Sequence, residues 1–222
     1  MRLLAIFPHP DDEIGVAGTF AKHVLRGDAA KILWLTRGEF ASQFGDMPPE
    51  EVAKAREGHG REVAAILGAE YRFLDYPDAG LTGGRDEALE IAREIAAWKP
   101  DAVFTWNPED VHPDHRAAYW ATLSALKFCR IPKLVGEPHR KPIRLFHYHR
   151  NDVPRPSVYV DIGEEGLAAA ERVFSLYHDF YKWELTVEAF RANRARLGSE
   201  AGAKYAERFQ SETPLPHRYL AE

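Results

Sequence analysis

The feature that most constrains the fold is a regular alternation of short apolar runs with longer segments of helical period through the first half of the chain. Residues 2–7 read as a buried strand. A helical stretch over about 13–26 follows, with Ile14, Ala17, Ala21, Val24 and Leu25 on one face and Gly27 at its end. A second strand covers 31–36, and a loop holding Gly38, Gly45, Pro48 and Pro49 leads to a helix over about 50–67 that stops at Gly68. A third strand at 71–74, a helix across 86–98 ending before Pro100, and a fourth strand at 101–106 complete the series. Strands separated by helices of this length form βαβ units and pair in parallel. The expected fold class is α/β: a Rossmann-like, doubly wound, mostly parallel sheet with helices on both faces. In the strand order 3-2-1-4 the first and fourth strands are neighbours, and ligands bind beyond their carboxyl ends, where the winding reverses.

Both of those strand ends carry clustered ligand side chains. The first strand runs into His9-Pro10-Asp11-Asp12-Glu13, an imidazole and three carboxylates within five residues. A catalytic zinc takes three protein ligands from His nitrogen and carboxylate oxygen and keeps a fourth position for water. His9 and Asp12 converge on one ion if a turn starts between them, which Pro10 favours. A carboxylate that does not ligate, such as Asp11, is then available to take a proton from water. The simpler reading is that Asp11 or Asp12 caps the next helix and Glu13 complements its dipole. The fourth strand leads through Trp106-Asn107-Pro108-Glu109-Asp110-Val111 into His112-Pro113-Asp114-His115, with Pro113 suited to the first turn of a helix. One of these histidines can complete a metal set while the other acts on substrate; alternatively, both sit on the surface near a helix N-terminus. Two such clusters, facing each other across the switch point, favour the metal reading.

Composition narrows the partners. At 222 residues the chain is long enough for one substantial core, and 45% hydrophobic with 28% charged residues is ordinary for a globular protein. A net charge of −5 argues against nucleic acid and anionic membrane as partners. The single cysteine, Cys129, has no internal partner for a disulfide, and no apolar run approaches the roughly 20 residues of a membrane span. Residues 1–7 lack the length and cleavage site of a signal peptide, so a cytoplasmic location is expected. A dinucleotide is the obvious rival ligand at the switch point, but Gly15 and Gly18 do not form the GxGxxG pattern.

Together with the segment Leu35-Thr36-Arg37-Gly38-Glu39, the two ligand clusters resemble those of the LmbE-like (PIG-L) superfamily of zinc-dependent N-acetylglucosaminyl de-N-acetylases. The likeness extends to Leu74-Asp75-Tyr76-Pro77-Asp78, to Arg194-Ala195-Arg196-Leu197-Gly198 and to Tyr205-Ala206-Glu207-Arg208-Phe209. The resemblance implies that His9, Asp12 and His115 bind Zn2+, with Fe2+ as an alternative that the ligands also suit. It implies that Asp11 is the general base and that His112 stabilises the oxyanion and assists the leaving amine. Asp114 falls where the family has an acidic residue that orients that histidine. Arg56 and Asp78 match substrate-binding positions that would hydrogen-bond sugar hydroxyls, while Glu13, Thr36, Arg37 and Glu39 would shape the pocket. The implied partner is an N-acetylated amino-sugar substrate, and a homo-oligomer is expected. Two departures concern substrate choice: His59 replaces the acidic residue of an Arg-x-x-Glu pair, and Leu176-Tyr177-His178-Asp179-Phe180-Tyr181 lacks the Ser-Gln of a His-x-Ser-Gln element.

The last third of the chain reads as an extension of strands and helices. A strand ends the segment 141–149 and puts His147 and His149 on one face, a further strand covers 157–161, and a helical region spans about 164–197. Phe180, Tyr181, Trp183 and Phe190 are expected in the core or at a subunit contact, and the Pro-rich stretch 132–142 in an ordered connector. The whole chain is expected to be a single domain, with a Rossmann-like core over 1–130 and the extension over 131–222. Two other readings remain: a metallohydrolase of a non-sugar N-acyl amide, and a regulatory protein that binds metal without turnover.

Overall fold

A computed structural model describes residues 1–149 and 158–211. Its strands are β1 (Arg2–Phe7), β2 (Ala29–Trp34), β3 (Glu70–Phe73), β4 (Ala102–Trp106), β5 (Arg144–Tyr148), β6 (Val158–Asp161) and β7 (Ala206–Ser211). They form one seven-stranded sheet in the order β3-β2-β1-β4-β5-β7-β6. The first five strands in that order pair in parallel, and β7 pairs antiparallel with both β5 and β6. The expected doubly wound arrangement is therefore present, with β1 beside β4 at the point where the winding reverses.

The helices are α1 (Ala17–Leu25), α2 (Pro49–Leu67), α3 (Arg85–Trp98), α4 (Pro113–Phe128), α5 (Pro132–Val135), α6 (Gly163–Tyr181) and α7 (Val187–Ala201). Alternation along β1 decides which helices cover which face. Leu3, Ala5 and Phe7 join Ile32, Trp34 and Phe104 in one buried layer that takes in Phe20 of α1, Val63 of α2 and Phe174 of α6. Leu4 and Ile6 point the other way, packing with Leu33, Leu35 and Val103 against Ile91 and Ile95 of α3 and Ala118 and Ala121 of α4. A strand buried on both faces reads as a continuous apolar run, as the sequence 3–7 does. Each such large side chain contributes on the order of 2 kcal/mol by leaving water.

Several boundaries differ from expectation for local reasons. The first helical stretch splits into a 3₁₀ turn over Asp12–Gly15 and then α1. α2 ends where expected, because Gly68 adopts the left-handed conformation (φ 64°) that closes a helix with little strain. The helical region over 164–197 is two helices: Lys182 turns left-handed after α6, and the Thr186 hydroxyl then caps α7 by accepting from the Ala189 amide. In the connector 132–142 the first four residues form α5. The segment around Tyr205–Phe209 supplies β7, inserted between two strands that precede it in the chain, and of the strand expected at 157–161, residue 157 lies outside the described residues. No helix among the described residues is long and apolar enough to cross a membrane.

Candidate metal centre

The turn after β1 is held by its own side chains. The Asp12 carboxylate accepts from the His9 amide at 2.9 Å, closing the loop over Pro10 and Asp11. Asp11 is left with φ 126° and ψ −21°, a conformation rare for a residue with a side chain and costing about 1–3 kcal/mol unless its surroundings impose it. Glu13 supplies that constraint. Its Oε2 accepts from the Asp11 amide and from Trp34 Nε1, both at 3.0 Å, and its Oε1 accepts from the Tyr177 hydroxyl at 2.8 Å. Arg56 reinforces the turn by donating to the Pro10 carbonyl and lying 3.5 Å from Asp11 Oδ2. Neither Asp11 nor Asp12 acts as a side-chain cap, and Glu13 is an internal acceptor at 0% exposure.

After β4, His112 is the N-cap residue of α4, with Pro113 at the first helical position. Its Nδ1 accepts from the Asp114 amide at 3.2 Å, so a neutral His112 carries its proton on Nε2. His115, one turn into α4, stacks on the Trp106 indole with centroids 4.0 Å apart and planes at 9°. Its Nδ1 lies 2.8 Å from Asp110 Oδ1, a partner that leaves Nε2 facing the site.

The two clusters meet as the sheet order requires. Ligand atoms of His9, His112 and His115 lie within 4.8 Å of one another, and a second group of the same closeness joins His9 to Asp78 and Asp114. Asp12 bridges His9 and His115, with Oδ1 3.3 Å from His115 Nε2 and Oδ2 3.6 Å from His9 Nδ1. His9 Nε2 lies 3.0 Å from Asp78 Oδ1 and 3.3 Å from Asp114 Oδ2.

The electrostatics suit a cation. Burial pushes the His9 pKa down, but hydrogen bonds to Asp114, Asp12 and Asp78 outweigh it and hold the imidazole well above its usual value. Asp12 is held well below the carboxylate range: burial would raise it, and His115 and His9 more than reverse that. Asp78 falls to about 2 despite its burial, through His9 and the Phe40 and Ala79 amides. Asp11 moves upward because burial, with Asp12 adding to it, outweighs the guanidinium of Arg56. His112 moves down through burial, then through its histidine neighbours. A buried oxygen of Asp114, Oδ1, has no hydrogen-bond partner. Imidazoles crowded by carboxylates, with an unsatisfied buried oxygen among them, are a donor set for a divalent ion such as zinc or ferrous iron.

The remaining expected residues divide by what they touch. The Asp114 carboxylate faces His9 and the Ala79 amide, at 3.3 and 2.8 Å, so it is the backbone of Asp114 that orients His112. Asp78 and the buried Arg56 both line a cavity of about 500 Å³ with His9, Asp11, Asp12, His112 and His115. Thr36, Arg37 and Glu39 brace the loops around it: Thr36 bonds to the Pro8 carbonyl, Arg37 pairs with Glu57 and Asp75, and Glu39 accepts from the Asp78 amide. His59 lies in an aromatic nest of Phe44, Tyr177, Phe180 and Tyr181, behind Arg56. His147 is buried near Tyr119, while His149 pairs with Gln210 at 3.1 Å, and neither lines that cavity. His178 pairs with its neighbour Asp179 at 3.0 Å. Two residues with clear parts in the geometry were not singled out from sequence. Asp110, five before His115, carried a usable signal, since metal-binding histidines regularly donate their second nitrogen to a carboxylate. Tyr177 carried none, because its partner Glu13 is 164 positions away.

Comparison with known proteins follows the same lines. A sequence model of the PIG-L family, described as GlcNAc-PI de-N-acetylase, matches residues 4–126, which contain both ligand clusters. The chain belongs to the PIG-L family. Members of this family are deacetylases, hydrolases that act on an amide bond. A diacetylchitobiose deacetylase from Thermococcus kodakarensis is 30% identical over 93% of this chain and 81% of that protein. Among solved structures, the conserved protein TT1542 from Thermus thermophilus superposes with a TM-score of 0.84 at 35% identity, covering 97% of this chain and 96% of that one. A 4-carboxy-2-hydroxymuconate hydratase from Pseudomonas putida superposes with a TM-score of 0.81 over 99% of both chains, but at 21% identity that likeness is one of fold alone. A PIG-L fold by itself therefore does not fix the substrate, and the side chains must carry that argument.

Proposed function

We propose that this PIG-L protein is a metal-dependent N-deacetylase that removes acetate from an N-acetylglucosamine unit and releases the free amine. The observation that carries the reading is the placement of Asp11, a carboxylate that pairs with Arg56 and is held by Glu13, whereas its neighbour Asp12 lies against His9 and His115. His9, Asp12 and His115 would hold a zinc or ferrous ion, because Asp12 lies against both imidazoles and each histidine has a carboxylate partner. Such an ion supplies Lewis acidity and lowers the pKa of water at the site to about 7.

The chain's own groups account for the proton movements. Asp11 accepts a proton as water oxygen bonds to the amide carbon, and its upward-shifted pKa suits it to hold that proton briefly. His112, with its proton on Nε2, donates to the carbonyl oxygen as negative charge gathers there. The carbon–nitrogen bond then breaks as the proton held by Asp11 passes to the amine nitrogen, with His112 assisting its departure, and acetate is left. Asp114 sets the His112 tautomer through its amide. Arg56 and Asp78 stand on the wall of the same cavity, where they would meet the hydroxyls of the sugar.

The test is release of acetate and free amine from N,N'-diacetylchitobiose and a panel of N-acetylglucosaminides by zinc-loaded protein, with a chelated control. Release from none of them would overturn the proposal. The close grouping of three imidazoles favours a second assignment of the metal, to His9, His112 and His115. Metal content separates the two: His112→Ala retains the ion in the first assignment and loses it in the second.

A further inference from the structure

Asp11, Asp12 and Gln43 line not one cavity but two. The second, of about 510 Å³, is walled by Ile14, Trp106, Tyr148, Phe174, Trp183, Leu185 and other residues of α6, α7 and the turn between them. Two of its polar wall residues, Asn193 and Arg194, bond to each other. Arg194 donates to the Ile14 carbonyl and to Asn193 and lies 3.8 Å from Glu207, with its guanidinium over the Phe190 ring. The Tyr148 ring rests against Gly15, where a Cβ would meet it at 2.5 Å, so the absence of a side chain at Gly15 brings this aromatic wall up to the turn that carries Asp11 and Asp12. The two cavities differ in what is added to Asp11 and Asp12: the first adds imidazoles, Arg56 and Asp78, and the second adds the rings of Trp106, Phe174, Trp183 and Phe190 beside Asn193 and Arg194.

Resting on the deacetylase reading above, we infer that this aromatic-lined cavity is an acyl-side pocket, and that the protein hydrolyses glucosamine amides of longer unbranched or aromatic acids as well as acetamides. An amide carbonyl carbon has two substituents that leave it in opposed directions. If the amino sugar occupies the cavity with Arg56 and Asp78, the carbonyl lies at Asp11 and the acyl group points across the shared wall. Acetate would place one methyl group there, about the size of a water molecule with its roughly 30 Å³ share of liquid volume. A cavity of about 510 Å³ falls in the range that binds whole small-molecule fragments. Each added methylene buried against Trp106, Phe174 and Phe190 gains hydrophobic binding, which reaches the transition state because the acyl carbon stays in place throughout. The hydrolysis is balanced as for acetate: water adds to the carbonyl carbon, the carbon–nitrogen bond breaks, the amine takes the proton, and the longer carboxylate leaves.

The experiment measures kcat/KM of zinc-loaded protein for N-acetyl-, N-butyryl-, N-hexanoyl- and N-phenylacetyl-glucosamine, and repeats it with Ala189→Trp. Ala189 lies on the exposed side of this cavity, so the larger ring projects across the opening without disturbing the core. The expected result is kcat/KM for the hexanoyl amide at or above that for the acetyl amide, with the hexanoyl-to-acetyl ratio falling about tenfold or more in the variant. Cleavage of the acetyl amide without the longer amides overturns this inference and leaves the deacetylase reading intact. Cleavage of none of them overturns both. An unchanged ratio in Ala189→Trp, or a variant that instead loses selectivity for N-acetylglucosaminides with apolar aglycones such as octyl, shows that the pocket does not hold the acyl group.

Discussion

The parallel half of the sheet and the antiparallel extension divide the labour of this protein unequally. Every side chain of the candidate metal centre comes from the segments that follow β1, β3 and β4, loop or first helical turn, where parallel strands all point their carboxyl ends at one place. The extension built from β6, β7, α6 and α7 adds no metal ligand among the described residues. It supplies Tyr177, which fixes Glu13, and most of the apolar wall across from the metal cluster. Convergent parallel strand ends suit fixed chemistry, whereas helices laid beside them can vary their lining without moving a ligand.

This comparison breaks if changes in the parallel half spare turnover or if changes in the extension abolish it. The largest effect is expected from His115→Ala. Removing a partner of a ligand typically costs 10–100-fold in metal affinity or activity, so removal of the ligand itself should cost more than ~10²-fold, with zinc lost on dialysis. Retention of about one zinc per chain by emission spectrometry would remove His115 from the metal set. Asp11→Asn comes next, with kcat reduced by roughly 10²–10⁴-fold while bound metal stays near that of the parent. Parallel loss of metal would make Asp11 a ligand and not a base. Asp110→Ala should weaken zinc affinity by about 10–100-fold through release of the His115 ring, as read by competition with a chromogenic chelator.

The extension should answer differently. Glu207, buried in β7, accepts from the Gly18 and Thr19 amides in the first turn of α1 at 2.9 and 2.8 Å and from the Thr19 hydroxyl at 2.7 Å, and it lies 3.8 Å from Arg194. Glu207→Ala leaves those donors and the Arg194 charge buried without it, a loss on the order of 3–5 kcal/mol. Urea unfolding should show that loss, while the folded fraction keeps its metal. Loss of zinc from folded Glu207→Ala protein would show that the extension takes part in building the metal centre.

The two halves also differed in how far the sequence disclosed them. The meeting of His9 with His112 and His115 was legible, because strand–helix alternation and the strand-order rule place β1 and β4 side by side without knowledge of any side-chain contact. The local geometry of Asp11 was not. A 3₁₀ turn and a positive φ arise from acceptance by Glu13, whose orientation depends on Trp34 and Tyr177, and no periodicity records a hydrogen bond spanning 164 positions. The extension was harder still. The break between α6 and α7 rests on one left-handed residue, Lys182, and the cap at Thr186 within an otherwise helical pattern. The placement of β7 between β5 and β6 is set by long-range pairing that strand propensity does not encode.

Glu13 joins the two regions, and its replacement should have the smallest effect on turnover of those considered. Burial lifts its pKa to about 7, against the hydrogen bonds it receives from Asp11 and Tyr177. A carboxyl raised in the folded state contributes its full stability below the unfolded value of about 4.3 and loses it as pH climbs through the folded value. Metal-free protein should therefore lose stability between about pH 4 and 7 through this group, beyond whatever the other carboxylates do in the same window. Glu13→Gln keeps an acceptor oxygen for the Asp11 amide and Trp34 Nε1 but cannot ionise, so its urea midpoint should fall less than the parent's over that range. Glu13→Ala removes the acceptor and frees the strained backbone at Asp11, so it should lower kcat more than Glu13→Gln does at equal metal content. Equal kcat in the two variants would mean that Asp11 holds its position without Glu13, and that the extension influences the chemistry only through the wall it presents to substrate.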